Sequence, residues 1–131
     1  MNIKRIERLR RLILAQPHAR ADDHHGFNMR EYRHACGTPS CIAGYAAHMA
    51  MEDKKYKPKA MEGQGNVPVS VAAARYLGIP MYKVGNPLFM PLGVPSYDDI
   101  TPAQAAETLT RLMDTGKVDW SHVPGYAGGN P

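Results

Sequence analysis

His34-Ala35-Cys36-Gly37-Thr38-Pro39-Ser40-Cys41-Ile42-Ala43-Gly44-Tyr45-Ala46-Ala47-His48-Met49-Ala50 holds both cysteines of the 131-residue chain, and its reading decides how the rest packs. Thr38 has the side chain of an N-cap, and Pro39 suits a first helical residue because the N–H it lacks would be unpaired there. On this reading Cys41 falls in the first helical turn. Ile42, Tyr45, Ala46 and Met49 then recur on one helical face, while Ala43, Gly44, Ala47 and Ala50 keep the remaining surface small. Such a helix can be approached closely from several sides, so it is expected to be the buried centre of the fold. Gly44 costs about 1 kcal/mol against alanine in a helix, which is tolerable where it admits a close backbone contact.

Working outward, Asn2 to Gln16 reads as an amphipathic helix. Ile3, Ile6, Leu9, Leu12 and Ile13 share a face, Lys4, Arg5, Arg8 and Arg11 are interleaved, and Pro17 stops it. His18 to Gly26 is a polar loop, and Phe27 to His34 is either a short strand or an irregular extended arm. Glu52 to Pro68 lacks apolar periodicity and is expected as a long surface loop. A helix opening at Pro68 or Ser70 points Val71, Ala74 and Leu77 inward and ends at Gly78. Met81 to Val84 adds a turn, and Gly85 to Tyr97 is a wrapped loop anchored by Leu88, Phe89 and Leu92. Thr101-Pro102-Ala103-Gln104 combines an N-cap, a first-position proline and a reciprocal capping glutamine. The helix it starts carries Ala105, Ala106, Leu109, Leu112 and Met113 inward and closes at Gly116, after which Val118 and Trp120 dock. The expected fold is mainly α, of α+β type. It is one domain over 1–120, about four helices around the central small-residue helix, with long irregular loops, at most short strands, and a flexible tail over 121–131.

Cys36-Gly37-Thr38-Pro39-Ser40-Cys41-Ile42-Ala43-Gly44-Tyr45, with Phe27, Met29, Leu88-Phe89 and Thr115 to Trp120, resembles a family of small uncharacterised bacterial and phage proteins. That family shares a Cys-Gly-Thr-x-x-Cys-Ile/Val-Ala-Gly-aromatic core, and the resemblance spans most of residues 3 to 120. It implies a one-domain, phage- or prophage-associated intracellular protein with both cysteines in the shared pattern. It brings no activity with it.

The 44% hydrophobic fraction is ordinary for a globular chain, and no apolar run approaches the roughly 20 residues of a membrane span. The first helix is too interleaved with charge to be a signal peptide, so a cytoplasmic protein with reduced cysteines is expected and no membrane partner. The net charge of +4 is uneven: residues 1–60 carry 12 Lys and Arg against 6 Asp and Glu, whereas residues 61–131 carry 4 against 6. Lys4, Arg5, Arg8 and Arg11 on the first helix, with Lys54, Lys55, Lys57 and Lys59 in the following loop, suit a nucleic acid or another polyanion. No recognised nucleic-acid motif accompanies them, so solvation is the preferred account.

The central stretch admits three chemistries. A helix start at Gly37, Thr38, Ser40 and Cys41, with Tyr45 one turn on, offers backbone N–H groups, hydroxyls and the positive end of the dipole to a small anionic ligand. Alternatively Cys41 or Cys36 is a nucleophile, since a thiol at a helix start has its thiolate stabilised, with His34 as the better-placed base. His48 is about 10 Å along the helix from Cys41 at 1.5 Å per residue, too far to pair. A metal would draw on His34, Cys36 and Cys41, with the His24-His25 doublet nearby, but Cys-x4-Cys matches no usual zinc pair. A Cys36–Cys41 disulfide would be redox-sensitive in a reducing cytosol. Asp22, Asp23, Asp98 and Asp99 are explained by capping and solvation.

With no assembled catalytic set, no cofactor is called for, and an enzyme is the less favoured reading. The expectation is an accessory protein that acts by binding a small anionic ligand or a host protein, as a sequestering or inhibitory module. A cysteine-dependent enzyme and a structural or assembly protein are the alternatives.

Overall fold

Asn2 starts the first helix, α1 (Ile3–Leu14), by accepting the Arg5 N–H on its side-chain oxygen at 3.0 Å, while its own N–H donates to the Leu77 carbonyl at 2.8 Å. The start of α1 is thereby tied to the end of a helix 75 residues on. The computed structural model describes residues 1–20, 23, 25–56 and 68–127. The further helices are α2 (Ile42–Glu52), α3 (Val69–Leu77), α4 (Asn86–Phe89) and α5 (Pro102–Thr115), with a π-helical turn at Met81–Gly85 and a 3-10 turn at Tyr97–Asp99. The only β pairing among the described residues is two isolated bridges, His18 with Phe27 and Arg33 with Pro39. The arm from Phe27 to His34 is therefore irregular.

The apolar stripe of α1 buries Ile6, Leu9 and Ile13, whereas Ile3 at its open end stays exposed. α1 packs against α5, and α2 packs against α3. Ile42, Ala43 and Ala46 of α2 meet Ala73, Ala74 and Leu77 of α3 in a core that also takes Leu109 and Leu112 of α5. α5 carries the expected reciprocal cap: the Gln104 N–H donates to Thr101 Oγ1 at 3.1 Å, and Gln104 Oε1 accepts the Thr101 N–H at 3.0 Å. Gly116 (φ 76°) and Gly78 (φ 71°) end α5 and α3 in the left-handed region that glycine adopts without a Cβ clash.

Four expectations need correction, the first because Gly85 to Tyr97 is not all loop: Asn86–Phe89 is helical. α2 begins at Ile42 and not at Pro39: Cys41 is its N-cap, with Sγ accepting the Gly44 N–H at 3.4 Å. Thr38 and Pro39 instead belong to a turn closed by the His34 N–H donating to the Thr38 carbonyl at 2.8 Å. Leu92 does not anchor its loop, being 82% exposed, although Leu88 and Phe89 are buried as expected. Packing also continues past residue 120. Val123 lies in the core, and the Ala127 N–H donates to the Gly93 carbonyl at 2.7 Å, so at least 121–127 is docked chain and not loose tail.

Gly44 is the point of closest approach. A Cβ built there would fall on the carbonyl oxygen of Tyr32, whose backbone lies against α2. Helix propensity favours Gly44→Ala by about 1 kcal/mol, but the overlap is with backbone that cannot rotate away, and overpacking of this kind costs about 1–3 kcal/mol or more. Gly44→Ala is therefore expected to lower stability in urea denaturation. A stabilised variant would mean that the arm does not sit on α2.

Candidate functional site

The arm is held against the helices by Asn28. Its side-chain amide donates to the Ala19 carbonyl at 3.1 Å and to Asp98 Oδ1 at 3.0 Å, and its Oδ1 accepts the Arg30 N–H at 2.7 Å. Its backbone exchanges two bonds with Ser40: the Asn28 N–H donates to the Ser40 carbonyl at 3.0 Å, and Ser40 Oγ donates to the Asn28 carbonyl at 2.8 Å. Asp98 also accepts Arg30 at 3.4 Å, and its carbonyl accepts His18 Nε2 at 2.7 Å. One buried amide thus fixes the loop after α1, the arm and the 3-10 turn together.

These bonds change the chemistry of the cysteine stretch. The Ser40 hydroxyl is spent on Asn28, and its N–H donates to the Tyr32 carbonyl at 2.9 Å. The Gly37 N–H donates to the His34 carbonyl at 2.9 Å. At the true helix start the Gly44 N–H faces the sulfur of Cys41, which is buried. The donors that an anion would use are therefore directed inward. Tyr45 is also buried, its ring stacked at 6.5 Å on Phe27, and burial pushes its phenol up to about 12.

The two thiols differ sharply. Burial pushes Cys41 up to about 11, outweighing the lowering contributed by the backbone N–H groups of Gly44 and Ala43. Cys36 is exposed in the turn, where a 3.2 Å hydrogen bond with the Thr38 hydroxyl lowers its pKa. They form no disulfide. His34 does not serve either one as a base: its buried ring donates from Nε2 to the Gly26 carbonyl at 2.8 Å, and Nδ1 lies 3.6 Å from Glu31. His48 is paired with Glu52 at 3.1 Å. Among the described residues no three His, Cys, Asp or Glu side chains gather as a metal site, and His34, Cys36 and Cys41 point to different surroundings. His24 and Asp22 lie outside the described residues, as do Lys57 and Lys59.

What does gather is apolar. A cleft of about 340 Å³ opens where the arm meets the start of α2 and the end of α4. Met29, Tyr32, Cys41, Phe89, Met90 and Tyr97 line it, with Arg30 and Glu31 on the arm side. Phe89 and Met29 are buried, whereas Met90 and Tyr32 are 47% and 38% exposed and form its rim. Tyr97 is fixed by donating its hydroxyl to the Pro91 carbonyl at 2.8 Å. Of the residues expected to bind a ligand, Cys41 lines this cleft. Met29, Phe89 and Tyr97 were not expected as site residues, because only the tertiary fold brings three distant segments together.

The basic residues also divide. The Arg5 guanidinium lies 4.3 Å from the Tyr76 ring centroid and 4.9 Å from that of Tyr56, and donates to the Tyr76 carbonyl at 2.9 Å. It is a packing group and not part of a polyanion surface. Lys4, Arg8, Arg11, Lys54 and Lys55 are exposed.

Comparison with family models, with curated proteins and with solved structures finds no match to this chain.

Two outcomes follow from this geometry. In the folded protein at neutral pH, iodoacetamide is expected to modify Cys36 and leave Cys41 untouched, with both labelled after denaturation. Mass spectrometry reads this directly, and rapid labelling of Cys41 would contradict its burial. Asn28→Ala removes three side-chain hydrogen bonds and is expected to cost about 3 kcal/mol in denaturant unfolding, since the partners left behind lose their bonds within packed structure.

Proposed function

We propose that this protein works by binding, as a small accessory module that takes an apolar side chain of a partner protein into the cleft at the start of α2. The observation that carries the reading is the lining: two methionines, Phe89 and two tyrosines around Cys41, in a space of about 340 Å³. Pockets that bind ligands are mostly apolar with a few polar groups, and this one lies at the small end of their size range. Methionine and tyrosine are adaptable contact residues that present apolar area without a buried charge. Leu92, two residues along the chain from Met90, is a further large apolar side chain left 82% exposed, which favours a protein partner over a small ligand.

The alternatives have less behind them. A cysteine enzyme needs a base on its thiol, and neither His34 nor His48 is committed to Cys36 or Cys41. An anion at the helix start would compete with bonds that hold the arm in place. The resemblance to small phage and bacterial proteins supplies the setting for this proposal: a host protein as the partner, blocked or sequestered by the module.

The test uses a small probe first. Titrating indole into the 15N-labelled protein is expected to shift the amide signals of Met29, Tyr32, Cys41 and Met90, with the rest unmoved. Met90→Lys, at an exposed rim position, is expected to abolish those shifts while leaving the fold intact. Shifts spread over the whole surface, or none, would sink the reading.

A further inference from the structure

Part of the positive charge of residues 1–60 lines a hollow that shares no residue with the apolar cleft. Arg8, on α1, and Lys54 and Lys55, in the turn after α2, line a hollow of about 460 Å³ together with Met49, Tyr76 and the carboxylates of Glu52 and Asp53. Arg8 also lines a second depression along α1 with Lys4 and Arg11, so the two adjoin at its side chain. Lys4 to Arg11 spans about 10 Å of helix at 1.5 Å per residue.

The carboxylates in this region are already engaged. Glu7 is held by Arg10 at 2.8 Å and Arg11 at 2.9 Å, Glu52 pairs with His48 at 3.1 Å, and Asp53 accepts the Tyr76 hydroxyl at 2.8 Å and the Lys55 N–H at 3.0 Å. Lys4, Arg8, Lys54 and Lys55 form no ion pair with any described residue. Four exposed cations outside any ion pair thus lie along one continuous track, whose two hollows they share with the hydrogen-bonded or paired carboxylates Glu7, Glu52 and Asp53.

We infer that the surface of Lys4, Arg8, Lys54 and Lys55 binds the phosphate backbone of a nucleic acid duplex without reading its sequence. The occupant follows from shape and charge together. The cations line two adjoining hollows, which a ridge of regularly spaced phosphates can enter and a flat lipid surface cannot. Of the four side chains of the track only Arg8 carries the donor fork that base readout uses, and the three lysines are point charges suited to phosphate, so contact is with the backbone. This is independent of the apolar cleft.

The test is fluorescence anisotropy with labelled DNA duplexes of about 20 base pairs in two unrelated sequences. Four phosphate contacts predict equal affinity for both and about a 100-fold loss between 50 and 200 mM salt. Arg8→Glu with Lys54→Glu is expected to weaken binding at least about tenfold and to reduce the salt slope by about two contacts. Lys83→Glu with Lys117→Glu makes the same change in net charge on exposed residues outside the track and is expected to weaken binding far less. Both variants alter exposed side chains, and circular dichroism melting checks that they fold. The inference is overturned if neither duplex binds at low salt, if the two variants weaken binding equally, or if phosphatidylserine vesicles are bound and the duplexes are not.

Discussion

The backbone of Tyr32 rests directly on α2 at Gly44, and most of the molecule's arrangement depends on that contact. A side chain at position 44 would hold the arm away from the helix. With glycine there, the Tyr32 carbonyl comes close enough to accept the Ser40 N–H, which folds residues 32 to 40 back on themselves. Ser40 in turn reaches Asn28, and Asn28 reaches Ala19 and Asp98. A close contact between two backbones is thus extended by polar bonds into three loops that have no sheet to organise them. Buried polar groups are costly unless fully paired, so this network stabilises one arrangement of the loops against others.

The same constraint makes the cleft. Because the arm is held against α2, Met29 and Tyr32 come to face Phe89 and Tyr97 with Cys41 between them. The polar side of the arm is used inward by Asn28, Ser40 and His34, all buried. Its apolar side chains are left to line a surface. A stretch that looks polar in sequence therefore produces an apolar site.

Elements whose signals are local were legible in the sequence. The Thr101 to Gln104 cap and the glycines at 78 and 116 act within one turn of their helices, and α1, α3 and α5 follow from them and from apolar spacing. The closeness of Gly44 to another backbone was also readable, because a glycine amid alanines in a buried helix has few other uses. The start of α2 was not. Thr38-Pro39 is a sound local start, but bonds from His34 to Thr38 and from Tyr32 and Asn28 to Ser40 hold those residues outside the helix, leaving Cys41 to cap it. Those partners lie up to 12 residues away, beyond the reach of a capping rule. The cleft was illegible for the same reason, since its lining comes from segments around 30, 41, 89 and 97. Arg5 looked like its basic neighbours, and only the two tyrosine rings beneath it separate it from them.

The docked C-terminal segment has a consequence for how the molecule is observed. Trp120 is the chain's single tryptophan, and its indole N–H donates to the Pro87 carbonyl at 2.9 Å within α4. The ring is buried and lies beside His122 at 6.3 Å. Its emission therefore reports one seam, where the last segment closes over α4. A change in that signal separates undocking of the C-terminal segment from melting of α1 and α2, neither of which carries an indole. The protein contains its own optical marker for the seam where residues 120–127 close over α4 and the loop that follows it.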